Sequence, residues 1–203
     1  MTDDVAAEPA LAWRGLRSDA PDRLAERRRT TPPVRQWSAM ALAAVVSGPF
    51  AIGAALVENS TAGAVGVLLL VLLGPATEEV VKAAAAFHLA EQRPWLVPAA
   101  WTLPAVTLVS GLVFAAVENW WYLVVLIDDP SAELVRFRWI GGPLLHGGCS
   151  LLAGLGVARM WRGGLERGRA RAADAEPLLV AAIVVHGAYN AIAIALELAN
   201  VVD

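Results

Sequence analysis

The sequence predicts an all-α fold: a polytopic bundle of about five membrane-spanning helices. Two observations carry this. Hydrophobic residues make up 57% of the 203 positions and charged ones only 17%, with a mean hydropathy of +0.55. That is the profile of a chain solvated by lipid. The charges are also segregated: seven arginines fall in the first 35 residues and five more between Arg159 and Arg171. Between these blocks run apolar stretches near the ~20 residues that a bilayer crossing needs. The basic blocks read as membrane topology signals and not as a nucleic-acid surface.

Residues 1–36 read as a polar, arginine-rich cytoplasmic tail, partly disordered, with a short helix around Arg14 to Arg29. The transmembrane domain then occupies residues 37–203. Its expected spans are Trp37–Val57, Ala62–Ala90, Ala105–Ile127, Phe137–Trp161 and Pro177–Ala199. Gly74-Pro75 interrupts the second span, and proline removes a backbone donor, so a helix that breaks and restarts at the following acids is expected. Pro94–Pro104 approaches the third span as an interfacial or re-entrant segment. Trp120, Trp121, Tyr122, Trp139 and Trp161 lie toward span ends, as interfacial aromatics do.

Basic residues set the orientation. The amino-terminal tail is inside, the turn at Glu58-Asn59 outside, Arg93 inside, Asp128–Glu133 outside, Arg159–Arg171 inside and Asp203 outside. The expected location is a bacterial-type plasma membrane with a cytoplasmic amino terminus. The single cysteine, Cys149, excludes an intrachain disulfide and reads as a small packing residue.

Inside the apolar spans lie Glu78-Glu79 with Lys82, Glu118 with Asn119, His146, and His186 with Asn190. Ionisable groups at membrane depth cost roughly 2.5–3.5 kcal/mol each on insertion scales. They persist where they pair, line a wet cavity or do chemistry. Counted at ~1.5 Å per helical residue, the four clusters fall within one layer roughly 12 Å thick. Lys82 is spaced to neutralise either glutamate, and Asn190 shares a helix face with His186. Two adjacent acids beside one lysine leave a carboxylate over. Glutamate, histidine and asparagine in one layer suit a hydrolase. A proton- or cation-coupled transporter and a non-catalytic scaffold are the alternatives. The transporter expects an internal two-fold repeat, and none is visible.

These residues resemble the PrsW intramembrane proteases. P-A-T-E-E-V-V-K at 75–82 is similar to their E-E-x-x-K, F-A-A-V-E-N at 114–119 to F-x-x-x-E-N, and H-G-A-Y-N at 186–190 to H-x-x-x-N, with His146 between in L-L-H-G-G. The resemblance covers about residues 62–195. The wider group includes CAAX prenyl endopeptidases and bacterial immunity-type membrane proteases, which show E-E-x-x-x-R and F-x-x-x-H. Lys82 and Glu118 stand at the corresponding positions here and point toward PrsW. The resemblance implies an intramembrane endopeptidase acting on a membrane-anchored protein, of the kind exemplified by an anti-sigma factor, with membrane lipids as its other partner. It implies Glu78, Glu79, Lys82, Glu118, Asn119, His146, His186 and Asn190 as site residues. In one version Glu79, His146 and His186 hold zinc with an open water position. In the other a glutamate activates water directly while histidine and asparagine hold the oxyanion. No H-E-x-x-H is present to decide for zinc.

Overall fold

A computed structural model describes residues 20–59, 66 and 68–198. The regular structure is all helical, with no strand among the described residues. Helix α1 is Ala20–Thr30 and α2 is Pro33–Asn59. A wide helical turn, Leu69–Leu73, leads into α3, Gly74–Gln92. Helix α4, Thr102–Trp121, runs on into a second wide turn, Tyr122–Leu126. Helix α5 is Ala132–Arg167 and α6 is Glu176–Leu198. The first nineteen residues of the expected tail, the start of the second expected span at Ala62 and the terminal Asp203 lie outside the described residues.

Three helical stretches are long and apolar enough to cross a membrane: Thr102–Leu126, Ala132–Arg167 and Glu176–Leu196. They coincide with the last three expected spans. Five spans are thus not established by length and composition. Their outward faces carry large apolar side chains in the open, with Leu144 71%, Ile192 61% and Val184 61% exposed. Contiguous exposed apolar surface of this kind suits lipid and not water.

Pro75 does not break its helix. The backbone stays helical through Leu73 and Gly74, and the Gly74 N–H reaches back to the Leu69 carbonyl, five residues away. A proline deprives the carbonyl four residues earlier of its donor and crowds it. Here that carbonyl is Val71, and widening the preceding turn absorbs the crowding. Gly187 of α6 then sits directly on the Val71 carbonyl oxygen, where a Cβ would collide with it. One proline thus sets the turn, and one glycine lets α6 close on it.

The segment between α3 and α4 holds one 3₁₀ turn, Pro94–Leu96, followed by irregular backbone. Its backbone carbonyls are met by side chains from three elements. Trp161 Nε1 donates to Pro94 O at 3.0 Å, Gln36 Nε2 to Trp95 O at 3.0 Å and Arg28 Nη2 to Pro98 O at 3.2 Å. Irregular backbone away from water requires such partners. Trp95 and Val97 are buried here, in or beside the main apolar core of Met40, Leu89, Leu103, Val157 and Met160. Trp161, expected at the interface, is also inside this core, 4% exposed. Its indole N–H has a carbonyl partner and its ring a cation, Arg28, at 4.9 Å. A partnered indole packs where an unpartnered one would seek the headgroups.

Helix α5 starts on a Ser131 cap that accepts from the Leu134 N–H at 3.1 Å, and it ends on Gly168 in the left-handed region, φ 67°. Gly111 allows α4 to lie against α5: a Cβ there would stand 2.5 Å from the His146 carbonyl oxygen. That approach places the acid of one helix beside the imidazole of the other.

Candidate active site

The structure brings the polar clusters of α3, α4, α5 and α6 into contact. His146 Nε2 lies 3.1 Å from Glu118 Oε2, and His186 Nδ1 lies 2.8 Å from Glu79 Oε1. The two imidazoles meet edge to face, with centroids 4.9 Å apart. Lys82 Nζ donates to Glu79 Oε1 at 2.5 Å and lies 3.1 Å from His146 Nδ1 and 3.8 Å from Glu78 Oε2. It also stands over the Phe114 ring at 4.7 Å, and Phe114 packs edge-on against His146. Depths counted along straight helices spread these groups over ~12 Å. Wide turns at 69–73 and 122–126 interrupt the regular rise of two of those helices.

The two neighbouring glutamates divide. Glu79 is fully buried and tied to Lys82 and His186. Glu78 reaches the wall of a cavity of about 210 Å³, shared with Glu118, His146, His186 and Asn190. Its Oε2 stands 3.9 Å from His146 Nδ1 and 3.9 Å from His186 Nε2. Residues 100° apart on one helix cannot face the same way. Lys82 and Asn119 do not reach the cavity wall.

Hydrogen bonding assigns the tautomers. A carboxylate only accepts, so His186 carries its proton on Nδ1 toward Glu79, and His146 carries its own on Nε2 toward Glu118. Each imidazole thereby turns its lone pair toward Glu78 Oε2. Donor atoms of Glu78, His146 and His186 lie within 4.8 Å of one another, and all three residues are buried. Two imidazoles and a carboxylate are a common ligand set for a catalytic zinc site. A carboxylate behind each imidazole is the usual support for such ligands. The residues present therefore fit a divalent metal. The carboxylate in this set is Glu78; the zinc version implied by the resemblance has Glu79 in that place.

Asn190 Nδ2 donates to the Leu70 carbonyl at 2.9 Å and so pins α6 to the wide turn, while the residue still lines the cavity. Asn119 is buried and donates to the Arg138 carbonyl at 2.8 Å, clasping α4 to α5. Cys149 packs among Ala83, Ala153 and Ala182, off the cavity wall. His88 is exposed, away from the cluster.

Sequence reasoning missed Arg138 and Tyr189, which also line the cavity. Arg138 Nη2 lies 3.2 Å from Glu118 Oε2, and the guanidinium covers the Tyr122 ring at 4.2 Å. A signal existed: Glu118 and Arg138 are equidistant in sequence from Asp128, in the turn joining the two helices. A hairpin places such positions side by side.

No curated protein and no solved structure matches the chain. A family profile described as PrsW family intramembrane metalloprotease matches residues 34–202. That match takes in every helix contributing to the buried centre, and the chain accordingly belongs to the PrsW family of intramembrane metalloproteases.

Proposed function

We propose that this intramembrane protease hydrolyses a peptide bond of a membrane-anchored protein at the centre formed by Glu78, His146 and His186. The observation that carries the reading is the opposed anchoring of the two imidazoles. Separate glutamates hold their N–H groups, so both lone pairs face one cavity-lining carboxylate. Glu78, His146 and His186 would hold a divalent ion such as zinc, which when bound polarises a carbonyl and acidifies a water. Glu79 and Glu118 position the rings. Lys82 neutralises Glu79.

Glu118 has a second task. Its contacts with His146 and Arg138 both fall on Oε2, and it lines the cavity. It takes the proton of the attacking water and returns it to the leaving amine as the C–N bond breaks. Tyr189, on the same wall, is a donor available to the carbonyl oxygen.

One contact favours a second reading. Lys82 Nζ already stands 3.1 Å from the His146 lone pair. With that lone pair engaged, Glu78 serves as a metal-independent base, and the Asn190 amide and Tyr189 hydroxyl on the cavity wall donate to the oxyanion. Metal analysis of the purified full chain, with cleavage of a single-span substrate, separates the two. The metal reading expects about one ion per chain, loss of ion and activity in Glu78→Ala, and ion affinity 10–100-fold weaker in Glu79→Gln. Chelator-resistant cleavage by ion-free protein would establish the second reading instead. Unchanged cleavage by Glu78→Ala would remove both.

The remaining expected spans belong to the same proposal. Helix α2 and the helical stretch 69–92 complete five crossings. The polar groups that lower the hydropathy of α3, Glu78, Glu79 and Lys82, are buried inside the bundle and do not face lipid. The amino terminus is cytoplasmic, in a bacterial-type plasma membrane, and the substrate is a regulator of the anti-sigma type. Reporter fusions at both termini test the orientation: an odd number of crossings puts them on opposite sides.

A further inference from the structure

A second cavity lies on the opposite flank of α3 from the catalytic centre. It is a groove of about 810 Å³ between α2 and α3, walled by side chains such as Leu42, Val46, Val81 and Ala84. The one hydroxyl in its wall, that of Ser47, is already engaged, accepting the Ala85 N–H at 3.1 Å. From Ala39 to Ser47 it extends about 12 Å at ~1.5 Å per residue. Its apolar character stops at one end, where His88 and Arg93 complete the wall.

That end is rich in positive charge. Arg27 lies over the Trp95 ring at 3.5 Å, and Arg93 approaches the same ring at 5.6 Å. Arg35 stands on α2 one turn before Ala39, the first groove residue of that helix. Burial first, then the positive charges of Arg93 and Arg35, hold the Arg27 guanidinium below its ordinary pKa. Among the described residues none of the three arginines has a carboxylate within 4.0 Å, whereas Arg29 has Glu26 at 2.9 Å. Three like charges gathered, with no carboxylate within 4.0 Å among the described residues, at the mouth of an apolar trough match one kind of molecule: apolar along its length and anionic at one end.

We propose that the groove between α2 and α3 binds an acyl chain of an anionic phospholipid, with the phosphate held by Arg27, Arg35 and Arg93. Basic pockets between membrane helices capture anionic headgroups in this manner. A zwitterionic lipid brings a cation back to the arginines and gains little. A partner helix would fill the trough and leave the three charges unanswered.

Native mass spectrometry of the full chain, released from detergent with phosphatidylglycerol or phosphatidylcholine added, tests this. Wild type should retain one phosphatidylglycerol and no phosphatidylcholine. Arg35→Gln/Arg93→Gln, which spares the stacked Arg27, should bind it roughly 30-fold more weakly, the equivalent of about 2 kcal/mol for two charges. Ala84→Trp fills the trough with all the arginines intact and should lose the lipid as well. Equal retention of both lipids, or wild-type retention by both variants, would overturn the proposal. So would a change from dimer to monomer in Ala84→Trp, because a second copy would then be the occupant.

Discussion

Lys82 and Trp161 occupy matching places at two depths of the same bundle. Each is a large side chain, almost fully buried, at a junction of several helices. At the level of the buried polar cluster Lys82 meets Glu79, Glu78, His146 and the Phe114 ring. At the α1 end Trp161 is surrounded by apolar surface, with one carbonyl and one guanidinium satisfying its polar atoms and ring face. The first region spends little apolar area and holds its shape by mutual hydrogen bonding. The second holds its shape by area. If the polar cluster is the part that reacts, as proposed, the fold separates it from a part that keeps the helices together, and substitutions should sort accordingly.

The largest effect is expected at Glu78. Glu78→Gln should lower turnover by about a thousandfold or more, some 4 kcal/mol of transition-state stabilisation. Thermal unfolding in detergent should move by only a few degrees, because the residue lines a cavity and its loss opens no void. A parallel collapse in stability would mean that the carboxylate is structural, and the contrast between the regions would fail.

Trp161→Ala is the reverse experiment. Truncating a buried tryptophan costs about 3–5 kcal/mol, and here it also strands the Pro94 carbonyl. The thermal midpoint should fall sharply, while activity per folded molecule stays near wild type. Measuring cleavage against the folded fraction at each temperature checks both halves.

The contrast was only partly visible in the chain itself. The last three spans coincide with helices because uninterrupted apolar length is a strong local signal. The four polar clusters were recognisable because charge in such segments is costly. The roles of Glu78 and Glu79 were not. Adjacent residues point 100° apart, and which one faces the cavity depends on how α3 is rotated. That rotation rests on the Pro75 turn and its contact with Gly187, a long-range fit that no local pattern encodes. Arg138 was hidden for another reason: a basic residue near a span end reads as a topology signal, and only its pairing with Glu118 reveals a different use. Trp161 was misjudged likewise, since indoles at span ends usually face headgroups and its carbonyl partner lies far away in sequence.

Glycines offer a finer probe. Gly187→Ala drives a methyl onto the Val71 carbonyl, which is backbone and cannot swing aside. Overpacking of this sort costs about 1–3 kcal/mol. Because Gly187 adjoins His186, turnover should drop together with stability. Gly148 on α5 is the control, since a Cβ there meets nothing within 4 Å. Gly148→Ala should be neutral or stabilising by up to about 1 kcal/mol from helix propensity. Equal behaviour of the two variants would show that α6 does not depend on the close approach.

Among the cavity-lining charged residues the smallest effect is expected at Arg138, where the two regions can be compared within one side chain. Its guanidinium meets Glu118 at 3.2 Å, but both side chains remain roughly a quarter exposed to the cavity, 21% and 25%. A pair so placed contributes at most about 1 kcal/mol to stability, so Arg138→Gln should shift the thermal midpoint little. The role proposed for it is to orient: Glu118 accepts from His146 and meets the Arg138 guanidinium as an ion pair on the same oxygen. Losing the arginine frees Glu118 to swing and loosens the imidazole behind it. Turnover should then fall several-fold to tenfold with KM nearly unchanged, and Arg138→Lys should recover part of the loss by restoring the charge without the fork. A rise in KM with turnover intact would instead place Arg138 in substrate binding, and the chain of contacts from Arg138 through Glu118 to His146 would lose its part in positioning the reacting groups.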